Sequence, residues 1–157
     1  EEPIPEWGEN EARLPSTERI KIIPIISWNN IINLNEAIGK SNKKIATIGN
    51  ISDKSFALIM NDHSMEPLFP KNTVLLFDPF KKSVDRSYVL VSLGGGMPVF
   101  RQLLIDVEHQ YLKPLNPDLN AYQMRLLNDK DKITAVLIES RINYEPEIDD
   151  NTLEESS

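Results

Sequence analysis

No cysteine occurs among the 157 residues, which excludes disulfides and thiolate metal sites. Histidine is nearly as scarce. His63 and His109 are the whole supply of imidazole, too few for a structural zinc, so neither a metal nor another cofactor is expected. Long apolar runs are missing too: the longest, such as 22–26 and 89–93, fall far below the ~20 residues a bilayer span requires, and no signal peptide opens the chain. A soluble, cytoplasmic protein with no membrane partner is the expectation. Positive charge is in deficit, with 17 Lys and Arg against 24 Asp and Glu and a net charge of −7.

That deficit is unevenly spread. Residues 1–15 carry five acids and one base, and residues 145–157 carry six acids and no base, which leaves sixteen bases and thirteen acids between them. A surplus of three is too small for a phosphate-tracking surface, so any contact with DNA requires another segment. Segment 1–17, with three prolines, many glutamates and no apolar period, reads as an acidic linker. Segment 145–157 cannot bury enough apolar area to offset chain entropy and reads as a disordered acidic tail. Residues 18–144 are left as one domain, and 40% hydrophobic residues suffice for its core. No methionine opens the chain, so an upstream segment is expected.

Within 18–144 the pattern is period two and short apolar runs bounded by Gly, Pro, Asn and Asp, which predicts a mainly β fold. Strands are expected at 44–48, 55–60, 73–77, 87–93, 99–105, 110–114 and 133–142. Gly94-Gly95-Gly96 interrupts two of them and permits φ > 0, so 87–105 reads as a long hairpin. One short helix is expected at 33–39, with Asn33 as its cap and Gly39 as its terminator.

The chemistry-bearing feature is the turn Asp62-His63-Ser64-Met65-Glu66-Pro67, followed 37 residues after Ser64 by Arg101 in Val99-Phe100-Arg101-Gln102-Leu103. Pro67 fixes φ and forces a bend from which a hydroxyl can project. A serine in a turn by itself is a poor catalytic signal and is better explained by a structural or capping role. Four elements occur in a fixed order: Pro24-Ile25-Ile26-Ser27-Trp28, the Ser64 turn, the Arg101 strand, and Leu112-Lys113-Pro114-Leu115-Asn116-Pro117. Together they resemble the C-terminal domains of LexA-like and phage repressors, a family of self-cleaving serine-lysine peptidases with a signal-peptidase-like β-ribbon fold.

The resemblance implies Ser64 at the nucleophile position, Arg101 at the general-base lysine position, Asp62, Met65 and Pro67 in the supporting turn, and a cleavage site at Ile31-Ile32. Both chemical positions depart from the family. A base must spend time deprotonated at neutral pH, and arginine cannot. Where the family has a small Ala-Gly pair, Ile31 and Ile32 are β-branched and crowd any approaching nucleophile. Replacement bases are poor: His63 neighbours Ser64 on an extended segment and points to the other face, His109 has no orienting acid, and Lys71, Lys81, Lys82 and Lys113 lie in polar turns. Arg101 either donates to Ser64, carbonyls or a carboxylate such as Asp62 or Glu66, holding the site together as a charged fork, or simply faces solvent from its strand.

The expected function is the dimerisation and regulatory domain of a repressor that no longer cleaves itself. The family then implies a homodimer, operator DNA held only through an upstream helix-turn-helix domain, and an antirepressor protein as a further partner. The alternative is an active autopeptidase using Ser64 with an unidentified lysine. Strand 133–138 is a candidate edge for pairing between copies, and an interior position is the competing reading.

Overall fold

The computed structural model describes residues 19–144, so the segments 1–17 and 145–157, expected as linker and tail, lie outside the described residues. Strand β1 (Ile20–Ile25) leads through a 3-10 helix (Trp28–Asn33) into helix α1 (Leu34–Lys40). Eight strands follow: β2 (Lys43–Ile48), β3 (Phe56–Ile59), β4 (Val74–Asp78), β5 (Tyr88–Ser92), β6 (Pro98–Ile105), β7 (Gln110–Lys113), β8 (Arg125–Leu126) and β9 (Lys132–Arg141). They form one sheet in the order β2-β1-β3-β4-β9-β5-β6-β7-β8, antiparallel throughout except where β1 runs beside β3. The mainly β architecture with a single short helical segment is the one the alternating pattern predicts. Among the described residues, no helix is long and apolar enough to cross a membrane.

The hairpin is present, with Leu90 opposite Phe100 and Val89 opposite Arg101. Gly94 (φ 59) and Gly95 (φ 80) take the left-handed backbone that reverses it, a conformation costly for residues with a Cβ. The Gly94 N–H donates to Asp131, which joins the hairpin tip to the β8–β9 loop.

Three features depart from expectation. Strand β1 is absent from the expected set and contains Pro24, yet it pairs with β2 from Ile20↔Ile48 to Ile25↔Lys43. Asn33 makes no side-chain capping bond, since the 3-10 helix runs straight into α1, and Gly39 lies inside the last turn rather than ending it. Strand β9 is not an exposed edge: it is hydrogen-bonded to β4 on one side and β5 on the other, so segment 133–138 is interior and has no free edge to offer a second copy.

The outer strand β2 is itself guarded. Thr47 Oγ1 donates to Glu139 at 2.7 Å, and the Arg141 guanidinium donates to the Ala46 carbonyl at 2.6 Å, so the sheet curls until β2 meets the end of β9. A charged side chain on an edge carbonyl blocks strand addition.

The main core gathers Phe56, Phe77, Phe100 and Phe69 with Met60 and Met65, all buried. Phe100 meets Phe77 and Phe69 edge-on at centroid separations of 5.5 and 5.1 Å. Burying each such side chain is worth about 1.5–3 kcal/mol. This cluster underlies the Ser64 turn and the Arg101 strand together, since Met65 and Phe100 flank the two residues.

Candidate functional site

Ser64 sits in the connection between β3 and β4, and its position follows from bonds on three sides. Met65, the next residue, is fully buried in the main core and pulls the turn inward. Asp62 Oδ1 accepts the Ser64 backbone N–H at 3.0 Å, the local side-chain-to-backbone bond that aspartate favours in turns. Asn116 clamps the far side: its backbone N–H donates to the Ser64 carbonyl at 3.0 Å and its side-chain amide to the His63 carbonyl at 2.8 Å. Pro67 follows on the exposed outer rim of the bend. Ser64 itself is 0% exposed.

Arg101 approaches from β6. Its Nη1 donates to Ser64 Oγ at 2.9 Å and to the Phe100 carbonyl at 2.8 Å, and Ser64 Oγ in turn donates to Asp62 Oδ1 at 2.7 Å. The hydroxyl is thus a relay between a cation and a carboxylate, with its proton directed to the acid and a lone pair occupied by the guanidinium. Burial draws the Arg101 pKa down from its ordinary value, while the charge of Asp62 and, less strongly, Tyr122 oppose that fall. A guanidinium keeps its proton in proteins, so Nη1 donates and does not abstract.

The cavity beside Ser64 holds about 70 Å³ and is lined among others by Trp28, Met60, Asp62, Phe100 and Arg101, with no lysine in its wall. Lys71, Lys81, Lys82 and Lys113 are all exposed. The His63 ring bonds Glu66, and His109 lies against Tyr111 at the β6–β7 turn, so neither imidazole is paired with the serine.

Ile31 and Ile32 are not brought to Ser64. Both lie in the 3-10 helix rather than in extended backbone, with Ile31 packed into the main core at 6% exposure and Ile32 turned outward at 64%. They line a separate cavity of about 360 Å³ with Leu34, Gly95, Gly96 and Pro98, and of its wall only Pro98 also borders the Ser64 cavity. Asp62, Met65 and Arg101, in contrast, converge on the serine from β6 and its own turn.

Two contributors were not singled out from the sequence. Asn116 stands in the sequence only as a member of the 112–117 motif, and nothing local shows that its amide reaches back 53 residues. Trp28, from the first motif, donates its indole N–H to the Ile59 carbonyl at 2.7 Å and so fixes the end of β3 just ahead of the turn.

A model of the Peptidase S24-like family matches residues 23–138. An uncharacterized HTH-type transcriptional regulator of Coxiella burnetii is 29% identical over 151 residues, covering 92% of this chain and 69% of that protein. Repressor protein C2 of Salmonella phage P22 is 28% identical over 129 residues, covering 76% of this chain and 58% of the repressor. The match to the family model takes in β3, the Ser64 turn, the Arg101 strand and the Asn116 clamp, and this chain belongs to the Peptidase S24-like family.

Proposed function

We propose that this chain is the regulatory, dimer-forming domain of a transcriptional repressor that has lost self-cleavage. The observation that carries the proposal is the 2.9 Å bond from Arg101 Nη1 to Ser64 Oγ, which puts a permanent proton donor where acyl transfer needs an acceptor. The burial of Ile31 supports it independently, since a peptide bond within a 3-10 helix and anchored in the core is not presented as an extended substrate. The two relatives are named as a helix-turn-helix regulator and a phage repressor, which supports the regulatory role.

In this role DNA is contacted by a helix-turn-helix domain upstream in the intact protein, and the domain described here contributes pairing. Two copies joined through it hold two DNA-binding heads at high effective concentration over a palindromic operator, so operator affinity follows dimer stability. Induction without cleavage has to shift that equilibrium, by dissociation or by an antirepressor protein that binds one state better. The setting is cytoplasmic, where the operator is.

The test is incubation of purified full-length protein at raised pH with intact-mass analysis. The expected outcome is an unbroken chain under conditions that release fragments from a self-cleaving repressor. Fragments ending near Ile31, and lost in Ser64→Ala, would establish the competing autopeptidase. Sedimentation of the same sample is expected to show a concentration-dependent dimer, and a monomer at all concentrations would remove the pairing role.

A further inference from the structure

Arg101 is one of two charged groups on Ser64, and the other is bonded to it more extensively. Asp62 Oδ1 accepts both the Ser64 backbone N–H at 3.0 Å and the Ser64 hydroxyl at 2.7 Å. Acyl transfer at a serine requires the Oγ proton to pass to a neutral base as Oγ bonds to the carbonyl carbon, while the oxygen that becomes negative is met by preorganised N–H donors. The nucleophile's own backbone N–H is commonly one of those donors. In this protein that N–H is directed at a carboxylate, and the same carboxylate would stand beside any developing oxyanion as a like charge.

We infer that Asp62 is a second, independent block on peptidase chemistry, so that a lysine restored at position 101 alone leaves Ser64 inert. The inference rests on the reading of Ser64 as a former nucleophile. Three effects of Asp62 combine: it takes the N–H that would stabilise an oxyanion, it draws the Oγ proton toward itself and away from position 101, and its charge favours the protonated form of whatever cation stands there. That last effect is visible on Arg101, where Asp62 is the leading influence opposing the fall caused by burial. An amine at the same position would feel the same opposing charge, which works against the deprotonation a base requires.

The experiment compares full-length wild type, Arg101→Lys, Arg101→Lys/Asp62→Asn and Arg101→Lys/Asp62→Ala, using diisopropyl fluorophosphate at raised pH with intact-mass detection. Labelling forms an Oγ–P bond, breaks the P–F bond and transfers the hydroxyl proton to the introduced amine. Arg101→Lys alone is expected to label no faster than wild type. The Ala double variant is expected to label at least about tenfold faster, a floor set below the 10²–10³ that one oxyanion donor is worth in rate. The Asn double variant loses the charge but keeps an acceptor for the Ser64 N–H, so its rate is expected to fall between them. Near-ultraviolet dichroism of Trp28, bonded to Ile59 ahead of the turn, verifies that each variant is folded. Equal labelling of Arg101→Lys and the Ala double variant overturns the inference. So does a folded double variant, Ala or Asn, no more reactive than wild type. Labelling or self-scission of the wild type would instead overturn the non-cleaving reading, which the Asp62 comparison does not address.

Discussion

Replacing Ser64 by alanine separates a working nucleophile from a structural tie, because the two predict opposite changes in stability. Catalytic groups are commonly held in place at some cost to the fold, so removing one is often neutral or stabilising. In this protein the hydroxyl donates to Asp62 at 2.7 Å and accepts from Arg101 at 2.9 Å. Hydrogen bonds to charged groups contribute about 1.5–3 kcal/mol each. The full sum overstates the loss. Asp62 keeps the Ser64 N–H and is open to water, whereas the Arg101 contact lies in part-buried surroundings and has no such substitute, although Nη1 retains the Phe100 carbonyl. Ser64→Ala is therefore expected to destabilise by about 2 kcal/mol. With a urea slope of about 2 kcal/mol per molar for a domain of this size, the unfolding midpoint should fall by roughly 1 M. A double-mutant cycle with Arg101→Met assigns the effect. Once the guanidinium is gone, Ser64→Ala should cost appreciably less, leaving a coupling energy of about 1–2 kcal/mol. An unchanged or raised midpoint for Ser64→Ala, or additive single variants, would refute the tie.

The neighbouring residues Ile31 and Ile32 should respond in contrasting ways. Ile31→Ala removes a buried core side chain and is expected to cost about 2–5 kcal/mol, whereas Ile32→Ala, at an exposed position, should stay within about 0.5 kcal/mol; equal effects in chemical unfolding would contradict the placement. Asn116→Ala deletes the bond to the His63 carbonyl but not the backbone bond to Ser64, so a loss of about 1 kcal/mol is expected, read from the same midpoint. Glu139 is raised by burial but lowered more by Arg141 and Thr47, so its folded pKa lies below the ordinary 4.5. Its stabilisation is thus present above about pH 4.5 and disappears as pH falls through the folded value. Solvent screening limits it to about 1 kcal/mol or less. Glu139→Gln should accordingly lower the melting temperature at neutral pH and converge with wild type in acid; a gap independent of pH would refute this assignment.

Seven of the nine strands could be read from alternation or from unbroken short apolar runs: β3, β4 and β5 are buried on both faces and read as near-continuous apolar stretches, whereas β6 alternates. The two that escaped show neither signal cleanly. Strand β1 holds a proline within its apolar run, and β8 is two residues long. Strand order was a different matter. Segment 133–138 has the composition of an edge or of a centre, and what decides for the centre is that β4 and β5 reach it from distant parts of the chain, with bulges at Leu76/Phe77 and Leu90/Val91 adjusting the fit. Local composition does not encode which neighbours a strand meets.

At the site, residue chemistry was legible but connectivity was not. That an arginine is no base follows from its pKa alone; that its Nη1 reaches Ser64, with no lysine in the cavity wall, required the β5–β6 register and the packing of Phe100 and Met65 around it. Asp62 was legible as a turn residue and as a candidate carboxylate for Arg101, but not as a double acceptor from Ser64, since those two bonds depend on how the bend is pressed against the core. These bonds also account physically for a serine at a site without a base. A hydroxyl can accept from Arg101 and donate to Asp62 at once, a combination that alanine cannot offer and that a bulkier polar side chain could not fit where exposure is zero. On the proposed non-cleaving reading, the two charges that keep Ser64 from attacking a peptide bond are the same two that hold it in place, so loss of cleavage and stability of the turn would share one cause.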